Sequence, residues 1–216
     1  LNNSTSRGSD SNFQLGAHLK YSDETYYIAA ALGYANHFFK TDRSITTGGA
    51  ASFHGSFSGD NFSGRVEVGL LAPWSLPINP YAAIQAQNFR SPAYNETATS
   101  GAGDFALTVH NNSINSVRTE LGLWFANPVT NNITLTGRAA WARDSFDQIN
   151  TTATFRNLTA SGFNIIGAYT PPNTGLVSGG AKVDMGNGLS LSVMATGQIA
   201  QNYTGVSGGL TLDKAL

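Results

Sequence analysis

The chain has 216 residues, of which 41% are hydrophobic and only 12% charged, with a net charge of -1; an ordinary soluble domain carries roughly 25% charged residues. That balance leaves no electrostatic footprint for a nucleic acid or an anionic surface. The absence of cysteine excludes a disulfide scaffold, a thiolate metal site and a cysteine nucleophile.

The chain opens on a polar stretch, Leu1 to Asp10, that has none of the features of a signal peptide and reads as the start of a mature piece or a fragment. No later run reaches the roughly 18 apolar residues of a spanning helix. Instead, segments of period two follow one another, and period two means a strand with two unlike faces. Phe13 to Tyr21 sets Phe13, Leu15, Ala17, Leu19 and Tyr21 against Gln14, His18 and Lys20. Tyr26 to His37 is aromatic and alanine-rich. Phe62 to Leu71 sets Val66, Val68 and Leu70 against Ser63, Arg65 and Glu67, and Pro80 to Phe89 sets Ala82, Ile84 and Ala86 against Gln85 and Gln87.

The segment with most information is Ser116 to Arg143. Val117, Thr119, Leu121, Leu123 and Phe125 share one face, with Arg118, Glu120, Gly122 and Trp124 on the other; a short polar turn leads to a second such strand, Ile133 to Arg143. Gly175 to Asp184, Leu189 to Ile199 and Tyr203 to Leu212 repeat the pattern. Segments of about 9–11 residues are long enough to cross a bilayer when tilted.

Short connections (Ser22–Thr25, Pro73–Asn79, Asn127–Asn131, Met185–Gly188) alternate with long ones (Thr41–Asn61, Ser91–Asn112, Asp144–Thr174) along most of the chain. Such asymmetry is expected of a barrel with one periplasmic and one extracellular side. Counting Phe163 to Ala168 as a spanning strand would put the Gly186-Asn187-Gly188 turn on the wrong side, so that segment belongs to a long loop, as a rim extension or a plug. About nine spanning strands remain. Single-chain bacterial barrels have an even number, and the first strand starts on the long-loop side, so an upstream strand is expected and the chain reads as N-terminally incomplete. The fold class expected is all-β, a transmembrane antiparallel up-and-down β-barrel.

Two strands each place a cation and an anion on the polar face: Arg65 with Glu67, and Arg118 with Glu120, with Arg138 a candidate third cation. In a barrel these form a lumen-facing polar track of sheltered ion pairs. Stiffening of the wall is the favoured role, ahead of contact with a translocating or plugging segment. Tyr26, Tyr34, Trp74, Tyr81, Phe125 and Trp141, with Tyr27 and Trp124, are expected at strand ends or on outward faces as an aromatic girdle. The histidines, His18, His37, His54 and His110, lack metal-ligand spacing, and no nucleophile elbow or phosphate-cradling loop is present. The chain is therefore expected to have no catalytic residue, metal, cofactor or small-molecule substrate.

The stretches Tyr26 to Tyr34, Gly64 to Gly69, Asn79 to Gln85, Ser116 to Trp124, Leu135 to Trp141, Gly175 to Ala181 and Gly188 to Leu191 together resemble the C-terminal translocator domain of bacterial autotransporters, the type V secretion family. The resemblance covers nearly the whole chain, 1–216, in the family's order. It implies a twelve-strand outer-membrane barrel of which the first three strands and a pore-threading helix precede this chain. It further implies delivery of an N-terminal passenger to the cell surface, with the lipid bilayer, the passenger and the outer-membrane insertion machinery as partners. The end, Thr211 to Leu216, departs from the terminal aromatic residue that the insertion machinery reads. Two other readings remain open at this stage: a small porin-like or structural outer-membrane barrel, and a soluble secreted β-sandwich adhesin module.

Overall fold

The computed structural model describes residues 5–46, 49–71, 77–146, 150–158, 162–167 and 171–214. It is almost entirely strand: β1 (Thr5–Ser22), β2 (Tyr26–Ile45), β3 (Ala51–Leu70), β4 (Ile78–Ser91), β5 (Tyr94–Asn95), β6 (Thr97–Ser100), β7 (Leu107–Val109), β8 (Asn112–Pro128), β9 (Ile133–Phe146), β10 (Asn150–Phe155), β11 (Phe163–Ile166), β12 (Asn173–Gly186), β13 (Leu189–Ala200) and β14 (Tyr203–Lys214). A 3-10 turn, Gly103–Phe105, lies between β6 and β7.

Nine long strands form one antiparallel sheet in the order β1-β2-β3-β4-β8-β9-β12-β13-β14, with β6 added to the upper part of β3. Each of the nine neighbours its predecessor, as an up-and-down meander requires. The sheet is curled into an open half-barrel, with β1 and β14 at its edges. A second sheet, β11-β10-β7-β5, is built wholly from the two long connections.

Turn chemistry marks the short-connection end. Asp23 Oδ1 accepts the backbone N–H groups of Thr25 and Tyr26 at 2.7 and 2.9 Å, and these bonds hold its carboxyl below the ordinary value. The Gly186-Asn187-Gly188 turn puts all three residues in the left-handed region, at φ 82°, 53° and 73°, where glycine and asparagine are tolerated best.

The alternation expected from the sequence is present, and it has a direction. Leu121 and Leu123 are 58% and 43% exposed while Glu120 between them is 4% exposed. Leu15, Leu19, Ile28, Leu32, Phe62, Val66, Val68, Ile84, Val177 and Val193 are exposed on the same side, linked by register pairs such as Leu32↔Gly64 and Val66↔Ile84. The apolar side is the outside of the curl. It is not covered by a second sheet, which removes the β-sandwich reading: Leu121 and Leu123 are open rather than buried between layers.

Two expectations change. Thr41–Ile45 and Ala51–Asn61 are not irregular loop; they belong to β2 and β3, which stay paired without a register break from Tyr26↔Leu70 to Ile45↔Ala51. The hairpin therefore rises well beyond its bilayer-length portion. Phe163 to Ile166 does lie outside the main sheet, as strand parity requires, but as β11 it pairs with β10 in the second sheet.

Candidate functional site: the charged track of the inner face

Strand register brings the inner-face charges together. Glu67 on β3 and Glu120 on β8 are two strands apart, bridged by β4 through Glu67↔Ala83 and Ala83↔Glu120. Alanine at the bridging position leaves the space that Arg65 crosses. One guanidinium nitrogen of Arg65, Nη2, donates to Glu67 Oε2 at 2.7 Å and to Glu120 Oε2 at 2.8 Å. Arg138 Nη1 lies 3.6 Å from the same Glu120 oxygen. Arg118 does not pair with Glu120, its neighbour on the strand. It reaches across to β9 and makes a two-pronged contact with Asp144 at 2.7 and 2.8 Å.

The carboxylates are further held by aromatic donors. Tyr27 Oη donates to Glu67 at 2.8 Å and Trp124 Nε1 at 3.0 Å; Tyr81 Oη donates to Glu120 at 3.2 Å. The Arg138 guanidinium lies 5.3 Å from the Trp124 ring centroid, and Lys20 Nζ is 4.7 Å from that of Tyr27, both within cation–π range. The tyrosine rings need room against the wall, and glycine provides it. A Cβ at Gly69 would run into the Tyr27 ring, and one at Gly122 would lie 2.6 Å from Tyr81 Cε1.

Arg65, Glu67, Arg118, Glu120 and Arg138 thus share one face; Arg65, Glu67, Glu120 and Arg138 form one group with Tyr27, Tyr81 and Trp124, and Arg118 forms a separate pair with Asp144. Three arginines face three carboxylates, with Lys20 a further cation against Tyr27, so most of the charge in the track is met by opposite charge close by. It offers no nucleophile beside a base, and no group of histidine and carboxylate residues able to hold a metal ion occurs among the described residues.

The aromatic set divides. Tyr26, Tyr34, Phe125 and Trp141 lie on the outside of the curl. Tyr26 and Phe125 are near the short-turn end and Tyr34 lies toward the long-loop end, whereas Trp141 sits mid-strand, paired with Leu121. Tyr34 packs on Phe62 with ring centroids 5.0 Å apart and donates its hydroxyl to Asp60 at 2.7 Å. Tyr81 is a correction. It is 4% exposed and belongs to the inner face with Tyr27 and Trp124, because its hydroxyl is taken by Glu120. Trp74 lies outside the described residues. From Tyr26 to Tyr34 is eight residue steps, about 27 Å along a strand. A tilt of about 40° brings this to roughly 20 Å, of the order of an outer-membrane apolar band.

The family described as "Autotransporter beta-domain" matches residues 1–196. The translocator domain of the autotransporter NalP from Neisseria meningitidis superposes with a TM-score of 0.72 at 15% identity, covering 96% of this chain and 66% of that one. The transport unit of the autotransporter AIDA-I from Escherichia coli superposes with a TM-score of 0.50 at 13% identity, covering 99% and 84%. The chain thus spans just under two thirds of the NalP domain. No curated protein sequence matches it.

Proposed function

Because the chain belongs to the autotransporter β-domain family, we propose that it is the larger part of an outer-membrane barrel that delivers an N-terminal passenger to the bacterial cell surface. Residues 1–216 then form one barrel domain whose remaining wall strands and pore-threading helix come from upstream sequence. Backbone groups cannot stay unpaired in hydrocarbon, so the edges at β1 and β14 must close on such strands. The lipid bilayer, the passenger and the outer-membrane insertion machinery are its partners.

The observation that carries this reading is the separation of the two faces. Apolar side chains are exposed on the outside of the curl, while Glu67 and Glu120 are shut within. In water that arrangement is inverted; in lipid around an aqueous bore it is what burial energetics demand. Arg65, Glu67, Arg118, Glu120 and Arg138 are the lumen wall in this reading. Their cross-strand bridges brace β3, β4, β8 and β9. Their mutual pairing leaves few unmet charges on the wet surface to trap a passing polypeptide. Tyr26, Tyr34 and Phe125 are the girdle, and Trp141 is part of the apolar band between its two rims.

The test is surface display of the passenger by the full-length protein. In intact cells, externally added protease is expected to shave the passenger only when the barrel has folded into its heat-modifiable form. A folded barrel whose passenger stays inside the cell contradicts the proposal and favours a porin-like role.

A further inference from the structure

The tall β2–β3 hairpin keeps its faces to the tip, because the register is unbroken from Tyr26↔Leu70 to Ile45↔Ala51. Phe39, Arg43, Phe53 and Phe57 therefore continue the same inner face that carries Tyr27, Arg65 and Glu67. That inner face is covered. The 3-10 turn and Ala106 of the β4–β8 connection pack on Ala51 and Phe53, the latter 1% exposed. The Tyr94 ring stacks on Phe57 at 4.1 Å between centroids. Burial and the nearby Glu96 carboxylate push the Tyr94 hydroxyl pKa up.

At the centre is a sheltered ion pair outside the charged track. Glu96, 4% exposed, accepts Arg43 Nε at 3.1 Å, Arg43 Nη2 at 2.6 Å and the backbone N–H of Leu107 at 3.0 Å. Arg43 also donates to the Phe105 carbonyl at 2.8 Å and lies over the Phe53 ring. The β9–β12 connection joins from the other direction. Arg156 Nη1 donates to the Glu96 carbonyl at 3.2 Å, its backbone N–H to the Ala106 carbonyl at 2.8 Å, and β10 pairs with β7.

In the curled sheet, β3, β4 and β8 separate β2 from β9. The connection that leaves from β9 joins, through Arg156 and the β10–β7 pairing, the segment that packs on Arg43 and Phe53 at the inner side, and together the two connections take the chord of that arc. They cross the opening instead of following the wall. Leu107, Val109 and Ala153 give the crossing element its own small core.

From this geometry we infer that residues 94–110 and 150–158 form a lid across the outer mouth of the pore, hinged on β3 where β6 pairs with it and latched to the β2–β3 hairpin by the Arg43–Glu96 pair. The inference rests on the barrel reading above and goes beyond it: access from outside is set by the lid and its latch. The latch has the character of a releasable bond, since one carboxylate holds three donors from two elements. Removing its charge leaves Arg43 sheltered and without its anion, which costs far more than an exposed pair would.

The test uses the full-length protein with a single cysteine at the inner-face position Thr196, T196C, and a bulky membrane-impermeant maleimide added to intact cells. The same label on Ser56→Cys, on the outside of the hairpin, is the accessibility control. Labelling at T196C is expected to be slow in the parent and faster by roughly tenfold or more with Glu96→Gln, as local opening of the latch predicts. Replacing residues 94–110 by a short Gly-Ser linker is expected to accelerate it at least as much. Heat-modifiable mobility and passenger display are read in parallel. If both are normal and the linker variant labels no faster than the parent, the lid is overturned. If the barrel forms but no passenger is displayed, the secretion reading fails instead.

Discussion

At the scale of single residues, Glu120 carries the most. Its carboxylate is nearly sealed and receives Arg65, Tyr81 and the approach of Arg138. Substitution by glutamine keeps the shape but leaves two cations without their shared anion. Bonds to charged groups contribute about 1.5–3 kcal/mol each, and the wet side of the site reduces this, so a loss of about 2 kcal/mol is expected for Glu120→Gln. Unfolding of the full-length protein in detergent by guanidinium, followed by tryptophan fluorescence, measures it. Wild-type stability in this variant would show that the bridges contribute nothing to the wall. The residues around Glu120 also show what the sequence held in plain view. Trp124 shares its parity, and Tyr81 shares that of Gln85 and Gln87, so period two alone puts both inside. Their aromatic character suggested a lipid interface, whereas a carboxylate within reach of each ring's donor decides the matter. Tyr27 was harder to place, because β2 carries aromatic residues on both faces. Asp144 was lost among loop residues, since nothing local marks how far β9 extends.

At the scale of elements, legibility follows the environment. Strand portions that pass between lipid and water alternate strictly, because a one-residue slip would turn every side chain to the wrong solvent. Their number and order could be read from composition and turns alone. Above the membrane both faces of a strand are wet or covered by other loops, and the period fades. For that reason the upper part of the β2–β3 hairpin reads as a polar loop, and the sheet of β5, β7, β10 and β11 goes unseen although Phe53, Phe57 and Tyr94 were its signals. The same contrast gives a test of the wall. Arginine at Leu121, on the outer face, is expected to cost about 2–4 kcal/mol near the middle of the bilayer. Arginine at Thr196, on the inner face, is expected to cost well under half of that. Folding yields into lipid vesicles measure both. Equal penalties, or a larger one at Thr196, would reverse the two faces.

At the scale of the whole molecule, a meander of nine long strands among the described residues, an apolar exterior and a cross-braced, charge-paired interior describe a wall. A second, smaller sheet is built from the long connections at one end of it. Both features follow from the same rule: charge and backbone polarity go wherever water or a partner can meet them, and the wall closes where neither can. The most direct measurement is a single-spin-label scan of the full-length protein in lipid vesicles from Val117 to Phe125, reading collisions with oxygen, which concentrates in hydrocarbon, and with a water-soluble nickel chelate. Val117, Thr119, Leu121, Leu123 and Phe125 are expected to meet oxygen, and Arg118, Glu120, Gly122 and Trp124 to be shielded from it. The opposite phase, or no alternation at all, would mean that the apolar side of this sheet does not face lipid.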